Sequence, residues 1–263
     1  MKTRGKVILV TGAGSGIGRY LTIELSKEKC SFILVGRNQE ALVEVGKFCR
    51  ENGSEYKTLL CDLRDLASLE RLKDLVLQSY GHIDILINNA GVLTYQKIEN
   101  QNCEDLENLY RCNVLAPIQL SSLLLPELKK RDEALIVNTG SIFGSIAFPY
   151  FSAYSSSKFA LRGFSESLRR ELEDSSVRVL YVAPRATQTK LANLFGEMAK
   201  ATSMRLDPPE LVAKKIATAI RKNKKDLYIG FPECVFVRLN SLLPRLVDKA
   251  LVKQARIMES FAK

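Results

Sequence analysis

Histidine is almost missing from this chain of 263 residues: His82 is the only one. The six cysteines, Cys30, Cys49, Cys61, Cys103, Cys112 and Cys234, show no C-x-x-C spacing. A Ser-His-Asp triad and a zinc site therefore have no basis, no metal is expected, and reduced thiols in a cytoplasmic setting are the expectation. The chain also lacks low-complexity tracts, internal repeats and any apolar run long enough to span a bilayer. The apolar run after Lys6 ends in Thr11-Gly12, which reads as a first strand and is too brief for a secretory signal. Acidic residues are outnumbered by basic ones, leaving a net charge of +10. That balance suits an anionic membrane or an acidic partner. Nucleic acid is not expected, because no binding motif accompanies the charge.

What is present is an ordinary globular composition, long enough for one α/β domain. Buried-type strands are expected at Lys6 to Val10, Ser31 to Val35, Thr58 to Cys61, Ile83 to Ile87, Ala134 to Asn138, Val177 to Val182 and Asp226 to Phe231. Helical spacing lies between them, as in Leu66, Leu69, Leu72, Leu75 and Val76. This alternation implies right-handed crossovers and a doubly wound parallel sheet, with chemistry at the carboxyl ends of the strands.

The first strand runs into Thr11-Gly12-Ala13-Gly14-Ser15-Gly16-Ile17-Gly18 and then a helical pattern. Strand, glycine turn, helix is the setting in which backbone N–H groups hold a diphosphate. The second strand ends in Val35-Gly36-Arg37-Asn38. Gly36 stands where an acid would bind a ribose 2′-hydroxyl and Arg37 stands beside it, which points to a 2′-phosphorylated cofactor. Asp62 sits at the exit of the third strand, and Asn113 falls in a long apolar helix pattern, where a buried amide needs partners.

The densest chemistry is Tyr154-Ser155-Ser156-Ser157-Lys158, read with Ser141 at the exit of the fifth strand. On a helix Tyr154 and Lys158 share one face, one turn apart. A cation within reach is expected to lower the phenol's pKa, so that Tyr154 exchanges a proton with a carbonyl or alcohol oxygen that Ser141 holds. Phe143, Ile146, Phe148, Tyr150 and Phe151 precede it, either as packing on the core or as a pocket wall.

Taken together, the Thr11 to Gly18 turn, Asp62, Asn88-Asn89-Ala90-Gly91, Asn113, Ser141, Tyr154 and Lys158 resemble the short-chain dehydrogenase/reductase superfamily in its single-domain branch. The likeness runs from about Lys6 to Pro232. It implies a Rossmann-type dinucleotide-binding and catalytic domain at residues 1–232. By the same likeness Gly12, Gly16 and Gly18, with backbone of Ser15 and Ile17, hold the diphosphate. Asp62 and Leu63 meet the adenine, and Asn89 the adjacent ribose. Tyr154 is the acid/base, Lys158 also binds the nicotinamide ribose, Ser141 orients the substrate, and Asn113 holds a water of the proton relay. Thr189, with backbone near Thr187, meets the carboxamide. Arg185 stands where the family usually has glycine, and is expected to reshape its loop or to meet an anionic part of the substrate.

Leu191, Leu194, Phe195 and Met198 fall on one side of a helix in the region that covers the substrate in this family, so an apolar substrate or a helix covering its own core is expected. Residues 233–263 continue as a basic amphipathic extension. Arg238, Arg245, Lys249, Lys253 and Arg256 project on one side, and Phe236, Leu239, Leu243, Leu246, Val247 and Ala250 on another. Pro244 breaks this helix or starts a second. The extension either packs on the domain or a partner subunit, or lies on an anionic membrane surface.

The expected function is an NADPH-dependent oxidoreductase, with NAD the lesser alternative, interconverting a ketone or aldehyde and an alcohol on a lipophilic substrate of lipid metabolism. A 3-oxoacyl group on acyl carrier protein is the alternative substrate, and a silent NADP-binding regulatory or scaffold protein the alternative of another class. The resemblance further implies a homodimer or homotetramer.

Overall fold

The computed structural model describes residues 1–262, the side chain of Leu194 excepted. Seven strands form one parallel sheet: β1 (Val7–Thr11), β2 (Ser31–Gly36), β3 (Glu55–Leu60), β4 (Ile85–Asn88), β5 (Ala134–Thr139), β6 (Val177–Pro184) and β7 (Asp226–Ile229). Their spatial order is β3-β2-β1-β4-β5-β6-β7. Every residue of β1, β4 and β5 is buried, as strands covered on both faces must be. β3 lies at the edge and is half exposed. Its polar start at Glu55 pairs with Ser31 of β2, so the strand begins three residues before the apolar run that marks it in the sequence.

The helices are α1 (Gly16–Ser26), α2 (Gln39–Glu51), α3 (Leu66–Tyr80), α4 (Cys103–Tyr110), α5 (Ala116–Lys129), α6 (Ser152–Glu171), α7 (Gly196–Ala201), α8 (Pro209–Arg221), α9 (Glu233–Leu242) and α10 (Pro244–Glu259). Side chains alternate across each strand. Ile8, Val10, Phe32 and Leu34 therefore pack beneath α1, α2 and α8, while Val7, Leu9, Ile33 and Val35 pack beneath α3, α5 and α6. Asn38, Asp65 and Asn102 start α2, α3 and α4 by accepting a hydrogen bond from the backbone N–H three residues on.

Between α4 and α5 the chain makes a π turn, Arg111–Leu115. Pro117 explains it. A proline has no N–H for the carbonyl four residues back, here that of Asn113, and its ring crowds that oxygen. Widening the turn relieves the crowding, and Asn113 is left at the centre of the irregular stretch.

The C-terminal helices fold back onto the sheet's carboxyl end. Val237 and Val247 are buried against Ile142, Ile146 and Tyr181, and Met258 against Phe151, Phe195 and Met198. Pro244 opens α10 at its first position. Because the chain turns there, a single helical projection misplaces its faces: Leu243, Leu246 and Phe236 are exposed, and the buried seam is Val237, Val247 and Met258.

Candidate active site

Thr11, Gly36, Asn88, Thr139 and Pro184 end their parallel strands at one edge of the sheet, and the order reverses between β1 and β4. A cleft of about 460 Å³ opens at that switch point, where ligands of such sheets bind. Its floor is the glycine turn. Gly12 has φ +65° and a Cβ there would stand 3.0 Å from Ala90 Cα. On Gly18 a Cβ would stand 2.3 Å from the Gly12 carbonyl oxygen. Thr11 locks the turn to the next strand, since its Oγ1 accepts from the N–H groups of Asn89 (2.9 Å) and Ala90 (3.1 Å). The Asn89 amide donates to the Thr11 carbonyl at 3.1 Å.

At the other end of the cleft β5 delivers Thr139, Gly140 and Ser141, and α6 delivers Tyr154 and Lys158. Helical spacing brings the Lys158 nitrogen to 5.8 Å from the Tyr154 ring centroid. Lys158 is 4% exposed, and its Nζ donates to the Thr139 carbonyl at 3.1 Å. Its pKa is pushed down to about 8 by burial. Burial also pushes the Tyr154 phenol up to about 12, against the pull of the Ser141 hydroxyl. The shift of the phenol therefore runs opposite to the acidification expected from its lysine, because burial penalises the charged form of each group.

A match to the short chain dehydrogenase family spans residues 6–200. The chain belongs to that family. A dehydrogenase/reductase SDR family member 7B of Bos taurus is 31% identical over 268 residues, covering 96% of this chain and 82% of its own. The short-chain dehydrogenase/reductase of Burkholderia phymatum in complex with NAD superposes with a TM-score of 0.86 at 22% identity, over 94% of this chain and 96% of that one. The alcohol dehydrogenase of Thermococcus sibiricus complexed with 5-hydroxy-NADP gives 0.77 at 22% identity, over 86% and 96%. Membership makes this chain an oxidoreductase of the nicotinamide-dependent class.

The residues of this short-chain dehydrogenase fit a dinucleotide. The turn admits no side chain at Gly12 or Gly18, and the Thr139 hydroxyl is buried without a partner among the described residues. Gly12, Ser15, Gly16, Ile17, Arg37, Asp62, Leu63, Asn89, Thr187 and Thr189 all line the cleft, as do Ser141, Tyr154 and Lys158. Gly18 does not; it permits the close approach of α1 to the turn. Arg37 is exposed at the rim. Asp62 grips Arg64, its Oδ2 2.6 Å from Nη2, and that pairing holds its carboxyl down to about 2. Asp62 therefore lines the cleft already paired.

Asn113 lies behind the cleft. Its Oδ1 accepts from Val92 N–H at 2.9 Å, and its Nδ2 donates to the Val92 carbonyl (2.9 Å) and to Ser157 Oγ (3.1 Å). These bonds tie the π turn to the loop after β4 and to α6. Arg185 borders the cleft with its guanidinium already engaged. Its Nη2 lies 2.5 Å from Asp207 Oδ1 and its Nη1 3.3 Å from Glu233, so its charge is neutralised within the fold. Of the expected lid, Leu191 and Phe195 line the cleft, whereas Met198 is buried in the adjoining core. The Leu194 side chain lies outside the described residues. Thr139 and Gly140 also line the cleft, and the only sign of them in the sequence is their position at the exit of β5.

Proposed function

We propose that the protein is an NADPH-dependent reductase of a ketone or aldehyde on a lipophilic molecule. The observation that carries this is the placement of the Tyr154 phenol with Ser141 and Lys158 in one cleft that also reaches Arg37. A bound NADPH supplies the hydride. Tyr154 gives its proton to the carbonyl oxygen, Ser141 donates a hydrogen bond to that oxygen, and Lys158 offsets the phenolate left behind. Arg37, exposed beside Gly36, supports the phosphorylated cofactor. Phe143, Leu191 and Phe195 along the cleft support an apolar substrate.

A second reading, a 3-oxoacyl group delivered by acyl carrier protein, draws on the net charge of +10 and on Arg238, Arg245, Lys249 and Lys253, all exposed on the tail. An acidic carrier would be steered to such a surface. We also propose peripheral contact of α9 and α10 with anionic lipid.

The test is nicotinamide absorbance against long-chain ketones, steroids and carrier-linked acyl groups, with NADPH and NADH supplied separately. Tyr154→Phe should lower turnover by about 100- to 10,000-fold with cofactor binding nearly retained. Arg37→Ala should weaken NADPH by about 10- to 100-fold, the value of one charge-assisted contact, and leave NADH alone. A wild type that prefers NADH refutes the role given to Arg37. Turnover in Tyr154→Phe refutes the acid, and a wild type inert on the whole panel favours a silent cofactor-binding protein.

A further inference from the structure

Beside the catalytic cleft lies a second cavity, about 490 Å³ in volume. Four stretches far apart in sequence build it: the loop after β5, through Ile146 and Phe148; Arg185 and Ala186 after β6; the turn at Met204; and the C-terminal helices, through Phe236, Leu251 and Met258. Of its charged lining, Arg185 is held by Asp207 and Glu233, and Arg205 is exposed to water. At its mouth Phe231 is 73% exposed and Phe236 45% exposed. Aromatic surface left in water at the entrance of an apolar cavity is unfavourable by about 25 cal/mol per Å², and a cavity of this size suits a ligand.

Phe143 stands between the two spaces and lines both. Its ring meets Tyr154 edge-on at 6.1 Å between centroids, and stacks on Phe148 at 4.5 Å. Ala186 borders both spaces as well. The apolar chamber therefore begins one aromatic ring away from the phenol.

We propose that this chamber takes the hydrocarbon tail of the substrate, which makes the substrate a long-chain carbonyl compound lying past Phe143 with its reacting end at Tyr154. The proposal rests on the reductase reading for the head of the molecule and on the chamber alone for its tail. The chain lacks tryptophan, so a tryptophan introduced at the chamber is a unique reporter. Two variants outside the catalytic machinery serve: Phe236→Trp at the mouth as the reporter, and Ala250→Trp, at an exposed position lining the chamber, as the block.

With 2-alkanones from butanone to 2-dodecanone, kcat/KM should climb about fourfold per methylene in the wild type, which is ~0.8 kcal/mol per buried CH₂. Ala250→Trp should flatten that climb and leave butanone unchanged. Independently of turnover, dodecanol should shift the Phe236→Trp emission to the blue in a saturable way. An emission that dodecanol does not move, or a chain-length climb indifferent to Ala250→Trp, overturns the proposal. A saturable shift with no ketone reduced at any length sustains the chamber and removes the reductase reading instead.

Discussion

Lys158 shows how a single residue of this site trades stability for chemistry. Its ammonium is almost wholly withdrawn from water and its pKa sits at about 8 against an ordinary 10.5. The unfolded chain therefore binds more protons than the folded one between those values, so stability rises with pH across that window, and the penalty is complete below pH 8. Lys158→Met keeps the volume and removes the buried charge, at the expense of the bond to Thr139. It should stabilise the protein by roughly 1–3 kcal/mol at pH 7, a gain that fades towards pH 10.5, while turnover collapses. Urea unfolding at both pH values checks this, and equal gains at the two would sink it. The placement of Tyr154, Lys158 and Ser141 was legible in the sequence, because helical spacing and a strand exit are local. The direction of the phenol's shift was not. It depends on burial supplied by Phe143 and by other segments distant in sequence, and no spacing rule reports that.

At the scale of elements, the exit of β6 is held by charge. Arg185 joins it to Asp207, just before α8, and to Glu233, the first residue of α9. Asp207 is 5% exposed and its Oδ2 has no partner among the described residues, so removal of Arg185 strands a buried carboxylate. Arg185→Ala should destabilise the fold by about 3 kcal/mol, the scale of a broken buried pair. Asp207→Asn in that background should recover part of the loss, since the stranded charge is gone. Unfolding midpoints of the two singles and the double decide; strict additivity would mean the residues act separately. The sequence marked Arg185 as a departure from its family but not its partners, which come from 22 and 48 residues further on. Interior strands were legible as continuous apolar runs. The start of β3 was hidden because an edge strand needs apolar residues on one side only, and the π turn was hidden because its cause, Pro117, follows it.

The whole molecule presents two ends of different character. The carboxyl end of the sheet carries the cleft, the apolar chamber and the two C-terminal helices, and those helices expose Leu242 (79%), Leu243 (54%) and Leu246 (57%) among exposed Arg238, Arg245 and Lys249. The doubly wound sheet was legible in the strand and helix rhythm, and the basic excess in a count of residues. The pairing of that excess with uncovered leucines was not, since it follows from which face the turn at Pro244 buries. No helix among the described residues is long and apolar enough to cross a membrane, so contact with lipid through this end would be superficial. Each basic side chain near an anionic surface contributes about 1 kcal/mol, and Arg238, Arg245 and Lys249 together give roughly 100-fold. The protein should co-sediment with phosphatidylserine vesicles at low salt, be released at high salt, and ignore neutral vesicles. Arg245→Glu with Lys249→Glu should abolish retention by reversing the field, and Leu242→Asp with Leu246→Asp should abolish it by removing the inserted surface. Retention that survives both pairs, or that neutral vesicles match, would leave these leucines without a lipid partner. A hydrocarbon-tailed substrate would then have to reach the chamber from water.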